Sequence, residues 1–213
     1  MTIQVLIVDD HAVVAEGLRY LIQAQADMTV VACVQDGHEA VRTAKNTGPD
    51  VVVMDNAMPG LNGTDATRLV CEERPQTRVV MLSMHSDPVH VSRALQAGAT
   101  GYVIKKSVAK ELVDAIRAVH GGRRYLSTAL ADGVIDQYVL ETASDPLQRL
   151  SSRERQVLQL LAEGRNVDAI ASTLSLSPKT VRTYRARMMD KLNIRDLAGL
   201  IRFAIQRGVA SIE

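Results

Sequence analysis

The sequence predicts two domains: a doubly wound α/β domain built on a five-stranded parallel sheet, then a small all-α domain. Three observations carry that expectation. The first 120 residues alternate short apolar runs with stretches in which apolar residues recur every three or four positions, the mark of repeating β-α units. After Pro146 only the helical period remains. A length of 213 residues also exceeds what one domain ordinarily holds.

The expected strands are Ile3 to Val8, Met28 to Val34, Val51 to Met54, Val79 to Leu82 and Gly101 to Ile104. They are rich in Val, Ile and Met and too continuous for burial on one face alone, which suits a parallel sheet covered on both sides. Helices are expected near residues 11 to 24, 36 to 47, 63 to 73, 88 to 97 and 108 to 120. Such sheets place their chemistry at the carboxyl ends of the strands. The α/β domain is assigned to residues 1–124 and a partly helical linker to 125–146, with helical spacing at Leu130, Val134 and Tyr138. Residues 147–213 form the second domain, where a capping box at Ser151 and Glu154 opens one helix and Gly164 stops it. Asn166 can cap the next helix, and Ser177 another with Pro178 in its first position.

With 46% apolar and 23% charged residues, the chain is neither disordered nor a disulfide scaffold. Cys33 and Cys71 lack metal-type spacing and are expected as reduced, buried fillers. No apolar run approaches the length of a membrane span, and a cytoplasmic location without membrane contact is expected. A net charge of +1 conceals an asymmetry. Residues 1–126 hold 13 basic and 14 acidic side chains, residues 127–146 four acidic and no basic ones, and residues 147–213 twelve basic and six acidic. Only the last third has the positive excess that attracts a polyanion.

Asp9 and Asp10 follow the first strand, Asp55 the third and Lys105 the fifth, and in a parallel sheet these ends share one edge. Crowded carboxylates repel one another. An oxygen-preferring divalent cation, Mg²⁺ above others, offsets that repulsion and holds a phosphoryl group as well. Asp55 is then a candidate carboxylate nucleophile, Lys105 a compact positive charge for a phosphoryl oxygen, and Ser83 a hydroxyl donor at the end of the fourth strand. Each residue taken alone could instead cap a helix or be solvated; their joint placement after four strands is what capping does not require.

Val8-Asp9-Asp10-His11, Met54-Asp55-Asn56-Ala57-Met58-Pro59-Gly60, Leu82-Ser83 and Gly101-Tyr102-Val103-Ile104-Lys105 resemble the receiver domain of two-component response regulators over about the first 120 residues. The resemblance implies that Asp55 accepts phosphate from a sensor histidine kinase. It also implies that Asp9 and Asp10 bind Mg²⁺, Asp10 directly, with the backbone carbonyl of Ala57 as a further ligand. Ser83 and Tyr102 become the switch pair, the hydroxyl moving towards the phosphate as the aromatic ring turns inward. Asn56 departs from the family, which usually carries an apolar residue there; the change removes no ligand.

Projected as a helix, residues 179 to 192 place Val181, Tyr184, Met188 and Leu192 on one side. Lys179, Arg182, Thr183, Ala186 and Arg187 fall on the other, with Arg185 at the flank. Cations facing outward from the first turns make a recognition-helix layout for the DNA major groove, and Thr180 at the capped end can donate to a phosphate. With residues 167–174 and a short turn at Ser175-Leu176, this completes a helix-turn-helix. Leu150 to Leu158, Ile170-Ala171, Lys179-Thr180-Val181-Arg182 and Lys191-Leu192 resemble the LuxR/NarL class of DNA-binding domain, which adds Lys191 to the candidate contacts. Ala169 stands where that class usually has glutamate, and Tyr184 where it often has histidine.

Together the resemblances imply a phosphorylation-controlled transcriptional regulator rather than an enzyme. Its expected partners are a sensor histidine kinase, promoter DNA and RNA polymerase, with a homodimer forming on phosphorylation. Two other readings stay open. One is a phosphate-independent DNA-binding regulator whose receiver is a dimerisation scaffold. The other is an aspartyl-phosphate phosphatase or phosphotransferase, although the second aspartate such enzymes carry two residues after the nucleophile is here Ala57.

Overall fold

Continuous apolar runs become central strands because their alternate side chains pack into two different layers. In the computed structural model, which describes residues 2–130 and 146–210, the chain divides into two units at residues 142/143. In the first, β1 (Ile3–Val8), α1 (Ala12–Gln23), β2 (Met28–Val34), α2 (Gly37–Thr47), β3 (Val51–Asp55) and α3 (Gly63–Glu73) are followed by β4 (Arg78–Ser83), α4 (Pro88–Gln96), β5 (Gly101–Ile104), α5 (Val108–His120) and β6 (Tyr125–Leu126). All pairings are parallel, in the order β2-β1-β3-β4-β5-β6. Val5, Ile7, Val51 and Val53 pack with Leu18 and Ile22 of α1 and Leu112 and Ile116 of α5. Their neighbours Leu6, Val8, Val52 and Met54 pack with α2, α3 and α4 through Ala40, Ala66, Val70 and Val91. The strand order reverses at β1, so the crevice at the carboxyl ends opens between β1 and β3.

Two features differ from the sequence-based expectation. The sheet has a sixth strand, β6, at the start of the segment read as linker; it is two residues long and carries no periodicity of its own. What anchors it is tertiary: Tyr125 and Leu126 pair with Gly101 and Tyr102, and the Ser127 amide donates to the Tyr102 carbonyl at 2.8 Å. The buried Glu111 of α5 then accepts from the hydroxyls of Ser127 and Thr128 and from the Thr128 amide. Burial would raise the Glu111 pKa, but those donors outweigh it and the carboxyl lies below its usual range. The second difference is in the cysteines. Both are free thiols, but Cys33 is exposed and Cys71 half-buried, because β2 is an edge strand that the layers cover incompletely. The expected helical spacing at Val134 and Tyr138 lies outside the described residues.

The second unit comprises α6 (Ser152–Ala162), α7 (Val167–Thr173), α8 (Pro178–Leu192) and α9 (Leu197–Gln206) around a core that includes Val157, Leu158, Ile170, Val181, Met188 and Leu200. The capping box forms: the Glu154 amide donates to Ser151 Oγ and the Ser151 amide to Glu154 Oε2. Asn166 and Ser177 cap α7 and α8 through the amides of Ala169 and Thr180. Glu154 is buried and also takes Lys191 Nζ at 2.9 and 2.7 Å, so α8 is tied to the first turn of α6.

Burial would raise the Glu154 pKa, but Lys191 and the Ser151 donors more than offset it and the net shift is downward. A depressed carboxyl stabilises the fold above its unfolded pKa and loses that stabilisation as pH falls through the folded value. Urea unfolding should therefore show Glu154→Gln less stable than wild type by about 1.5–3 kcal/mol near neutral pH, the worth of hydrogen bonds to a charged group. The difference should shrink as pH falls below 4.5, the ordinary value for this side chain.

Candidate functional site

The acidic centre is assembled by strand ends and held by the turns that follow them. Asp9 and Asp10 leave β1, and Asp55 ends β3. Strand-end carboxylates often serve as helix caps, but none is used that way here. His11 is the N-cap residue of α1 and supplies no side-chain cap, while Asn62 caps α3 through the Asp65 amide. Asp9 is fully buried and Asp55 nearly so, at 0% and 1% exposure. Ligand atoms of Asp9, Asp10, His11 and Asp55 all lie within 4.8 Å of one another.

Lys105, in the turn after β5, reaches across the sheet edge to Asp9 Oδ2 at 3.0 Å and Asp55 Oδ1 at 2.9 Å. One ammonium thus bridges two carboxylates with Asp10 beside them, which leaves net negative charge at the centre. Burial pushes the Asp55 pKa up; Lys105 opposes this, Asp9 reinforces it and the Ala57 amide opposes it, and the net direction is upward. Burial would lower Lys105, but Asp55 and Asp9 more than offset it, so the ammonium is held charged. Asp55 Oδ2 is buried and has no hydrogen-bond partner among the described residues. A buried carboxylate oxygen without a donor is costly unless a cation or an added group completes it. The oxygen-rich donors and this orphaned atom fit Mg²⁺.

The chain behind Asp55 is tight. A Cβ on Gly63 would stand 2.0 Å from the Asp55 carbonyl oxygen, so only glycine lets α3 begin against the end of β3. Asn56 is pinned as Thr64 Oγ1 donates to its side-chain oxygen at 2.8 Å. Ser83 ends β4 buried, and its Oγ accepts from the His85 amide at 3.1 Å. The Tyr102 ring is buried, turned inward, with its hydroxyl donating to the His85 carbonyl at 2.9 Å. Burial pushes the Tyr102 pKa up to about 12, against a lowering by Ser83, so the phenol stays a donor.

In the second unit, Val181 and Met188 are buried and Tyr184 and Leu192 half-buried, while Lys179, Arg182, Thr183, Ala186 and Arg187 are exposed and Arg185 lies between. The helix therefore offers its cations to solvent along one face. Thr180 Oγ1 lies 2.8 Å from Ser177 Oγ at the capped end, and Thr183 Oγ1 donates to the Lys179 carbonyl at 3.0 Å. Lys191, expected among the DNA contacts, is exposed and also pairs with Glu154 at 2.7 Å.

Fold and site together define a class: an α/β domain with an acidic centre at its strand ends, followed by a helix-turn-helix domain. The family model for the response regulator receiver domain matches residues 5–117, and that for bacterial regulatory proteins of the luxR family matches residues 148–204. The chain belongs to the two-component response regulators with a LuxR-type DNA-binding domain, which are transcription regulators and not enzymes. It is 37% identical to the response regulator UvrY of Escherichia coli K12, over 99% of this chain and 97% of that one. A crystal structure of a LuxR-family response regulator from Aurantimonas is 40% identical, with a TM-score of 0.62, covering 65% of this chain and 99% of that one. A structure of two RcsB dimers bound to two parallel DNAs is 26% identical, with a TM-score of 0.58, covering 95% of this chain and 98% of that one.

Two participants were not among the sequence-based candidates. His11 Nδ1 lies 2.8 Å from Asp10 Oδ1 and 3.5 Å from Asp9 Oδ1, so the imidazole borders the acidic centre; its position directly after the two aspartates was the available signal. His85 was the other. Its main chain joins Ser83 to Tyr102, a connection that no sequence spacing reveals. No described helix is long and apolar enough to cross a membrane.

Proposed function

We propose that this chain is a phosphorylation-controlled transcriptional regulator that accepts a phosphoryl group on Asp55 from a sensor histidine kinase and binds promoter DNA as a dimer. The observation that carries this is the bridge of Lys105 between Asp9 and Asp55, with Asp55 Oδ2 left buried and without a hydrogen-bond donor among the described residues. The free oxygen is the nucleophile: an O–P bond forms on Asp55 as the P–N bond to the kinase histidine breaks. Lys105 then meets a phosphoryl oxygen, and the Ser83 hydroxyl donates to another. Asp9, Asp10, Asp55 and the Ala57 carbonyl hold Mg²⁺, which when bound neutralises charge on the phosphoryl oxygens. Departure of Ser83 Oγ from the His85 amide alters the loop whose carbonyl holds the Tyr102 hydroxyl, which links the acceptor to a change of receiver conformation.

On DNA, Lys179, Thr180, Arg182, Thr183, Arg185, Arg187 and Lys191 form the contact surface, with the Lys191 ammonium also paired to Glu154. RNA polymerase is the further partner in this reading. One helix-turn-helix offers a single half-site, so two chains engage two half-sites about one helical turn apart. Sedimentation with and without a phosphoryl mimic should show the dimer fraction rise on phosphorylation, and DNA affinity should rise with it. An unchanged mass together with unchanged affinity would favour the receiver as a phosphate-independent scaffold.

A further inference from the structure

The connection from β4 to α4 carries a second group of metal-ligating side chains, separate from the acidic centre. His85 lies in the loop, Asp87 is the N-cap residue of α4 and His90 stands in its first turn. Donor atoms of all three lie within 4.8 Å of one another. The two imidazoles stack, with ring centroids 4.3 Å apart and planes inclined by 10°. Asp87 presents both carboxylate oxygens to His90 Nδ1, at 2.8 and 2.7 Å.

Capping explains only part of this. The cap needs Asp87 and the His90 amide, which are 3.3 Å apart, and Pro88 already favours the helix start. It requires neither His85 nor the His90 ring. His90 Nε2, moreover, is buried with no hydrogen-bond partner among the described residues.

We propose that His85, Asp87 and His90 form a binding site for a borderline divalent transition ion of the Zn²⁺ type. Two imidazoles and one carboxylate are the donor set that such ions favour and that Mg²⁺ does not. Three protein ligands leave further positions to water. Near-parallel rings do not aim their lone pairs at one point, so the exposed His85 must turn out of the stack to complete the site.

The consequence is regulatory. The His85 amide donates to Ser83 Oγ and its carbonyl accepts from Tyr102, so an ion that fixes His85 also biases the switch pair. This second clause rests on the phosphorylation reading above. By linkage, phosphorylation then changes the affinity for the ion by the factor that the ion changes the phosphorylation equilibrium.

The test is titration of the full chain with Zn²⁺ by calorimetry, in saturating Mg²⁺ to occupy the acidic centre and with no phosphoryl donor, so that its outcome is independent of Asp55 chemistry. Wild type should bind one Zn²⁺. His85→Ala, at an exposed position, and Asp87→Asn, which keeps a capping side chain, should each weaken binding by more than about tenfold, at least what loss of a supporting group costs a metal site. Absence of Zn²⁺ binding by wild type, or binding unaltered in both variants, overturns the site. A Zn²⁺ affinity unmoved by a phosphoryl mimic overturns the coupling alone.

Discussion

Incubated with acetyl phosphate and Mg²⁺, the wild-type chain should gain one phosphoryl group by intact mass, and the Asp55→Asn variant none. Asparagine preserves the shape of the side chain but offers no carboxylate oxygen to form the acyl phosphate. The loss should be complete, because Asp9 is committed to Lys105 and the His11 amide while Asp10 faces the His11 ring. Neither has the orphaned oxygen that distinguishes Asp55. EDTA should suppress labelling of wild type to the same degree, since three carboxylates against one ammonium repel an incoming phosphate. Full labelling of the variant would place the acceptor elsewhere, and labelling indifferent to EDTA would remove the Mg²⁺ requirement.

Arg182→Ala should weaken binding at a specific DNA site by about 1–3 kcal/mol and relax base preference there, as loss of a bidentate arginine–guanine contact does. Arg182 is exposed one turn from the Ser177 cap, on the face opposite the buried Val181 and Met188, and α8 can enter a groove only by that face. Lys179→Ala should act differently. It should weaken specific and scrambled duplexes alike and reduce the salt slope of binding by about one, as removal of a phosphate contact requires. Mobility-shift titrations at several salt concentrations separate the two effects. Equal loss by Arg182→Ala on both duplexes, with native circular dichroism, would remove its base-reading role.

The elements legible in the sequence were those whose cause is local. Strands β1 and β3 announced themselves because burial on both faces demands apolar residues without interruption. Caps at Ser151, Asn166 and Ser177 were readable because the side chain and the amide it satisfies lie three residues apart. Asp9, Asp10, Asp55 and Lys105 could be gathered because parallel strand ends share an edge. What escaped depended on distant partners. Strand β6 exists only through β5, and Cys33 is exposed because its strand lies at the sheet edge. The engagement of Lys191 by Glu154 spans 37 residues. His85 acquires its importance from its main chain, to which side-chain patterns are blind.

The Glu111 clamp determines where the α/β unit can be cut without damage. A fragment truncated after residue 124 keeps all five long strands, yet it strips from Glu111 the hydroxyls of Ser127 and Thr128 and the Thr128 amide. A carboxylate at 8% exposure would be left without those donors, and β5 would lose its neighbour beside Tyr102. The excisable module therefore runs at least through Leu130, itself buried in the sheet's apolar layer. The tail that looks like the beginning of a tether is the last turn of the lock.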